Sequence, residues 1–158
     1  MTFASNFSEI LSAFSRHRVE FMLTGGYAVN FHGYNRSTSD IDLWIKPVET
    51  NKPRLIKAIK YLGFSKESID EVRALDFCKP FSFKIGSDPV DIDIFNHITG
   101  VSYSEADKNK VPFVDSDLNL TVYFISLRDL ISNKMLTGRT IDKLDVEQLQ
   151  KISSLRKK

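Results

Sequence analysis

Aspartates at every second position among apolar residues constrain the fold of this chain more than any other feature. The pattern occurs twice, at residues 40–43 (Asp-Ile-Asp-Leu) and 90–95 (Val-Asp-Ile-Asp-Ile-Phe). Side chains two residues apart on a β-strand lie on the same face, so each stretch predicts a strand with carboxylates on one face and apolar side chains on the other. Four carboxylates on one sheet face repel each other unless a cation lies among them. Hard oxygen ligands of this kind suit Mg²⁺ or Mn²⁺.

Length and composition predict one domain over residues 1–158, because 42% of the residues are hydrophobic and 27% are charged, as in an ordinary globular protein. The formal net charge of +2 is too small to predict nucleic-acid binding by itself. Cys78 is the only cysteine, which fits a reducing, cytoplasmic location, and we expect a buried structural thiol there. The sequence contains no apolar run long enough to span a membrane, and no signal peptide is expected.

Hydrophobic periodicity and turn residues predict alternating helices and strands. Their order predicts an α/β (α+β) fold in which a mixed β-sheet has helices packed mainly on one face. The predicted helices cover residues 6–18, 27–32, 50–62, 69–76, 104–108, 126–136 and 142–155, so that two C-terminal helices occupy about 126–155. The predicted strands cover residues 21–24, 40–45, 81–85, 90–95, 111–114 and 120–125. A predicted turn at 86–89 indicates that the strands on either side of it pair as an antiparallel hairpin.

A glycine pair, Gly25-Gly26, separates the first predicted strand from the next helix. Glycine lets the backbone approach a ligand closely, and the amides at a helix start favour anions, so this turn is a candidate phosphate cradle. The signal is weak alone and gains force from the Asp pair on the following strand. Two carboxylates on one strand and a third on a neighbouring strand suit two-metal phosphoryl chemistry, in which the ions lie about 3.5–4 Å apart. The third carboxylate is also a candidate acceptor for the proton of an attacking hydroxyl.

These residues resemble the signature of the polymerase-β-type nucleotidyltransferase superfamily. That signature is a glycine pair, a variable stretch, Asp-x-Asp on the following strand, and a later Asp flanked by apolar residues. The matching positions are Gly25-Gly26-Tyr27-Ala28, His32-Gly33, Arg36, Thr38, Asp40-Ile41-Asp42-Leu43, residues 90–106 and the C-terminal helices. The resemblance covers roughly residues 20–150 and extends to the small stand-alone bacterial branch, which includes nucleotidyltransferase toxins of type IV toxin–antitoxin systems.

The resemblance implies a nucleotidyltransferase fold and a metal-dependent reaction. A nucleoside monophosphate passes from an NTP to an acceptor, and pyrophosphate is released. Carried over to this sequence, the metal-binding and catalytic residues are Asp40, Asp42 and Asp93, with Asp91 as the fallback for the third carboxylate. The nucleotide-binding candidates are Gly25, Gly26, Arg36, Thr38 and Lys134.

Two other classes of function stay open. One is a catalytically silent nucleotide-binding or toxin–antitoxin regulatory protein, which would have a partner chain, and the other is a metal-dependent phosphohydrolase. The acceptor is equally open among a small molecule, a tRNA end and a protein side chain. Trp44 shares the predicted carboxylate face, where it either lines a base pocket or covers the edge of the site.

Overall fold

The computed structural model describes residues 5–85 and 91–157 of the chain. Seven helices and six strands occur among these residues. The helices are α1 (Ser5–Arg16), α2 (Gly25–Phe31), α3 (Asn51–Tyr61), α4 (Lys66–Ala74), α5 (Tyr103–Asn109), α6 (Leu127–Thr137) and α7 (Thr140–Arg156). The strands are β1 (Phe21–Thr24), β2 (Asp40–Ile45), β3 (Ser82–Ile85), β4 (Asp91–Phe95), β5 (Val111–Asp115) and β6 (Leu120–Phe124).

All six strands belong to one mixed sheet with the order β3-β4-β2-β1-β6-β5. The pairs β2–β4 and β1–β6 are parallel, whereas β1–β2, β3–β4 and β5–β6 are antiparallel. The predicted mixed α/β sheet is therefore confirmed, and so is the antiparallel pairing of β3 with β4. The parallel partner of β2 is β4, which brings the two strands of alternating aspartates side by side.

The apolar face of the sheet forms the main core. Ile41 and Leu43 of β2 and Ile92 and Ile94 of β4 are almost fully buried. Burying a side chain of this size stabilises a fold by about 1.5–3 kcal/mol. On the same face, Phe14 of α1 meets the ring of Phe21 edge-on at 5.5 Å, and Phe31 of α2 stacks on Phe124 at 4.1 Å. Helices α1 and α2 thus cover this face.

On the carboxylate face, helix α5 covers the end that lies away from the aspartates. Trp44 follows Asp42 by two residues, so it lies on the same face, and it is fully buried. Its ring meets that of Tyr103 in α5 at 5.1 Å. Helix α5 therefore packs on the opposite face from α1 and α2, and the aspartates at the other end of the same face are half-buried.

Most predicted elements occur within one or two residues of their predicted bounds. The helix expected at residues 69–76 begins earlier, at Lys66, because Ser65 caps it by accepting a hydrogen bond from the Ser68 N–H. The predicted turn at 86–89 and the strand residue Val90 lie outside the described residues.

The expectation of a buried thiol is wrong, because Cys78 is exposed. It lies in a turn where its backbone N–H donates to Asp76 Oδ1 at 2.9 Å. The buried position in that turn belongs to its neighbour Phe77, whose ring enters the core. Among the described helices, none is both long enough and apolar enough to cross a bilayer.

Candidate active site

The register between β2 and β4 brings together carboxylates that lie some fifty positions apart in the chain. Asp40 pairs with Asp91 and Asp42 pairs with Asp93. On the other side of β2, Thr24 at the end of β1 pairs with Asp42. Because paired residues of neighbouring strands point to the same face, all four carboxylates lie on one side of the sheet, as the alternation predicted.

The glycine pair lets the chain turn directly over this acidic strand. Gly25 has φ +63°, a left-handed conformation that favours glycine, and a Cβ built on it would collide with the carboxylate of Asp42. A Cβ on Gly26 would collide with the hydroxyl of Thr38 and would lie 3.5 Å from Nη1 of Arg36. Both glycines are therefore explained by close approach to residues of the site.

The carboxylates open into a cleft of about 350 Å³. Its lining consists of Gly25, Gly26, Arg36, Ser37, Thr38, Ser39, Asp40, Asp42, Asp93, Lys134, Arg139 and Ile141. Every site residue predicted from the sequence lies in this lining except the fallback, Asp91. The cleft therefore joins the predicted metal-binding and nucleotide-binding residues in one place.

Negative charge is concentrated around Asp42, which is half-buried. Burial raises its pKa to about 7, and the charge and hydrogen bond of Asp93 and the charge of Asp40 act in the same direction. The ammonium of Lys134 opposes this increase only in part. Asp93 has a basic neighbour, since Lys84 Nζ lies 3.6 Å from its Oδ1, but that lysine is largely exposed. The site thus contains more negative charge than its own basic groups neutralise.

The donor set fits a divalent cation. Asp40, Asp42 and Asp93 offer only carboxylate oxygens, lie on adjacent strands and share one open cleft. Oxygen ligands with open positions for water or phosphate are what Mg²⁺ and Mn²⁺ prefer. A cation there would also relieve the repulsion that raises the pKa of Asp42. A metal held by Asp40, Asp42 and Asp93 stays a prediction.

Basic side chains form the opposite wall of the cleft. Arg36 comes from the irregular segment before β2, where its backbone N–H donates to Asn30 Oδ1 at 3.0 Å. Of its five guanidinium N–H groups, three donate to partners in the described part of the chain, namely both oxygens of Asp145 and the carbonyl of Ser37. The other two remain for a ligand. An arginine with donors in a fixed fork is well suited to phosphate.

Lys134 lines the same cleft, but its ammonium is already engaged. It lies 2.9 Å from Asp145 Oδ2 and 3.2 Å from Asp142 Oδ1, and only 5% of its side chain is exposed. A third N–H direction is left for a phosphate oxygen. Contact between Lys134 and the triphosphate therefore stays a prediction, while Arg36 and Arg139 present more of their donors to the cleft.

Sequence reasoning missed two buried carboxylates, Asp142 and Asp145 of α7. Both side chains are at most 1% exposed. A signal was present, because residues 142, 145 and 149 lie three and four apart and so share one helix face, on which Leu149 is fully buried. Charged residues on the apolar face of a helix indicate buried partners. The predicted helix contained the pattern, but its basic partners come from other elements.

A second cavity, of about 260 Å³, adjoins the cleft and shares with it Gly25, Asp42, Lys134 and Arg139. Its other side is formed by residues after β4 and on α6, including His97, Thr99 and Asn133. Trp44 lines neither cavity, because Tyr103 covers it. Of the two roles considered for Trp44, the base pocket is therefore not supported.

Glu49, Asp76 and Cys78 form a separate exposed group whose possible metal-ligating atoms lie within 4.8 Å of one another. Local hydrogen bonds account for part of this geometry, since Glu49 accepts from the Phe77 N–H and Asp76 accepts from the Cys78 N–H. The group lies outside the cleft and includes none of the predicted site residues.

Comparison with known proteins assigns no family to the chain. No protein-family model matches it, and no curated protein matches it. The resemblance to nucleotidyltransferases therefore stays a prediction, and the candidate site rests on its own geometry and charges.

Proposed function

We propose that the protein is a metal-dependent nucleotidyltransferase that moves a nucleoside monophosphate from an NTP to an acceptor and releases pyrophosphate. One observation carries this proposal: three carboxylates on adjacent strands face two arginines across a single cleft. Carboxylates suited to a divalent cation and guanidinium groups suited to phosphate are the two halves of a site for a metal-bound triphosphate.

The residues have distinct roles in this proposal. Asp40 and Asp42 hold Mg²⁺ or Mn²⁺, and Asp93 from the neighbouring strand completes the ligand set. When bound, the metal supplies positive charge to the phosphate oxygens and to the attacking oxygen. Arg36 and Arg139 hold the outer phosphates, and the hydroxyl of Thr38 lies beside the glycine turn.

The reaction is a single displacement at the α-phosphorus of the NTP. The acceptor oxygen forms a bond to that phosphorus while the bond to the oxygen bridging the α- and β-phosphates breaks, and pyrophosphate leaves. Asp93 takes the proton from the acceptor hydroxyl, because it lies on the neighbouring strand opposite Asp42 and its side chain is 25% exposed in the cleft. Rate enhancement comes mainly from positioning and from charge neutralisation.

The test follows the label of a radioactive NTP in the presence of Mg²⁺ and cell extract. With label at the α-phosphate, the proposal expects transfer to an acceptor, and with label at the γ-phosphate it expects release as pyrophosphate. Free phosphate from the γ-label without transfer of the α-label would indicate a phosphohydrolase. Binding of NTP without any turnover would indicate a silent or regulatory protein.

Asp42→Asn provides the decisive variant, because it removes a charge from the acidic cluster without changing side-chain size. It should abolish transfer while the chain stays folded. Asp70→Asn is the matched control, since Asp70 is an exposed carboxylate of α4 that pairs only with Arg73 among the described residues. Transfer at the parent rate by Asp42→Asn would contradict the proposed mechanism.

A further inference from the structure

The wall of the cleft depends on a buried charge network that reaches into α7. Asp145 and Asp142 have essentially no exposed side-chain surface. Lys134 of α6 lies between them, at 2.9 Å from the first and 3.2 Å from the second. Because buried charges are costly without partners, each member of this network requires the others.

Two arginines extend the network from the carboxylates of α7 to the cleft. Arg36 donates from Nε and Nη2 to the two oxygens of Asp145 at 2.8 and 3.0 Å, across 109 positions of the chain. Arg139 makes the same fork on Asp142, at 2.7 and 3.2 Å. Paired N–H···O bonds of this kind fix the plane of a guanidinium as well as its position.

A purely structural contact between α6 and α7 would not need this arrangement, since an apolar pair of similar volume is often as stable as a buried ion pair. All three cations of the network, Arg36, Lys134 and Arg139, line the cleft that contains Asp42 and Asp93. Asp142 and Asp145 accept hydrogen bonds from some N–H groups of these cations. The remaining N–H groups are available to a ligand in the cleft.

We propose that Asp145 is a positioning residue that fixes Arg36 in the cleft, so that a triphosphate meets donors already in place. Asp142 acts in the same way on Arg139. This inference rests on the proposed function for the identity of the ligand. Arg36 lies in residues 34–39, which form no regular secondary structure. Without Asp145, its guanidinium would keep, among the described residues, only the bond to the Ser37 carbonyl.

A positioning role predicts that the effect of changing Asp145 depends on whether Arg36 is present. Simple structural support does not predict such a dependence. If Asp145 acts through Arg36, removing the carboxylate should matter far less once the guanidinium is gone. If Asp145 only holds α7 in place, its removal should weaken ligand binding by the same factor whether Arg36 is present or not.

The experiment measures binding of inorganic tripolyphosphate with Mg²⁺ by calorimetry, with thermal unfolding of each variant recorded in parallel. We expect Asp145→Asn to weaken binding about 10- to 100-fold in the parent chain. In the Arg36→Gln background the same change should weaken it by less than about threefold. Glu147→Gln is the matched control, because this exposed carboxylate of α7 pairs with Lys151 at the surface, away from the cleft, and the change should leave binding unchanged.

Arg36→Lys tests the same inference if Asp145→Asn fails to fold. Lysine keeps the positive charge but cannot form the fork on Asp145, so binding should weaken several-fold. Parent-like binding by Arg36→Lys, or an equal loss for Asp145→Asn in both backgrounds, would overturn the positioning role. A parent chain that binds no tripolyphosphate with Mg²⁺ would instead overturn the proposed function, and this inference with it.

Discussion

Asp42 is the residue on which the environment of the site acts most strongly. It lies between Asp40 along its own strand and Asp93 on the next strand, and it also touches the glycine turn. Burial and these neighbours raise its pKa to about 7, so it is partly protonated near neutral pH. A divalent cation must displace that proton, which links metal binding to pH.

The raised pKa of Asp42 predicts an unusual pH dependence of stability. The folded chain keeps the proton up to about pH 7, whereas the unfolded chain loses it near its ordinary value of 3.8. Since the folded state binds more protons in this window, this residue makes stability fall as pH rises from about 4 to 7. Asp42→Asn should remove that decline and be the more stable variant at pH 8, as measured by urea unfolding at several pH values. A parent and a variant with parallel pH profiles would contradict the raised pKa.

Gly25 allows a second test at the scale of single residues. Gly25→Ala should cost about 1–2 kcal/mol for the left-handed backbone, and more for the collision with Asp42. Gly63→Ala is the matched control, because Gly63 has φ +84° but open space around its Cβ position. Denaturant unfolding should show the larger loss of stability for Gly25→Ala. A parallel measurement of Mn²⁺ binding should show a loss for Gly25→Ala but not for Gly63→Ala. Equal behaviour of the two variants would mean that the close approach to Asp42 is unimportant.

At the scale of elements, local pattern predicted the strands well but only one of their pairings, that of β3 with β4. β1, β2 and β4 were predictable because short apolar or alternating runs have glycine or proline close to one end. The parallel pairing of β2 with β4 was not predictable in the same way, because its register depends on how the whole sheet assembles. Sequence alone therefore located the carboxylates on one face without giving the pairs Asp40–Asp91 and Asp42–Asp93.

The charge network of α7 shows a related limit. Lys134 was predictable as a site residue by resemblance, but its burial depends on Asp145, which in turn pairs with Arg36 from 109 positions earlier. No local periodicity encodes such a contact. The sequence does encode the helix face that carries Asp142, Asp145 and Leu149. A charged residue on a buried face indicates a polar partner on another element of the fold.

Helix α7 should therefore be held in place from its apolar side as well as by its charges. Leu149→Ala removes a fully buried side chain and should cost about 2–5 kcal/mol. Leu155→Ala on the same helix is the control, since Leu155 is 69% exposed and should cost little. Urea unfolding distinguishes them by the midpoint of the transition. Similar midpoints for the two variants would show that α7 does not dock through Leu149.

At the scale of the whole molecule, the small net charge of +2 conceals an uneven distribution. The site and its supporting network contain six carboxylates (Asp40, Asp42, Asp91, Asp93, Asp142 and Asp145) and four basic side chains (Arg36, Lys84, Lys134 and Arg139). In the proposed function, a site without its cation would repel the anionic triphosphate. Binding of the cation and of the nucleotide should depend on each other.

This mutual dependence of cation and nucleotide binding predicts how Mg²⁺ and ATP change the melting temperature of the chain. At a Mg²⁺ concentration about 100 times its dissociation constant, the folded state gains about 2.7 kcal/mol. In a chain of this size that raises the melting temperature by about 5–10 °C. ATP should add to the increase with Mg²⁺ and should give none in EDTA. Stabilisation by ATP in EDTA, measured by calorimetry, would show that nucleotide binding needs no cation.

In the proposed function, Asp40, Asp42 and Asp93 hold a divalent cation against a bound triphosphate. Electron paramagnetic resonance tests it without knowledge of the acceptor, since the signal of free Mn²⁺ falls as the ion binds. The parent chain should bind Mn²⁺, and a non-hydrolysable NTP analogue should tighten that binding. Asp42→Asn should weaken Mn²⁺ binding by about tenfold or more, as expected for loss of a charged ligand from a site of few protein ligands. Identical Mn²⁺ titrations for the parent and Asp42→Asn, with or without the analogue, would contradict the claim.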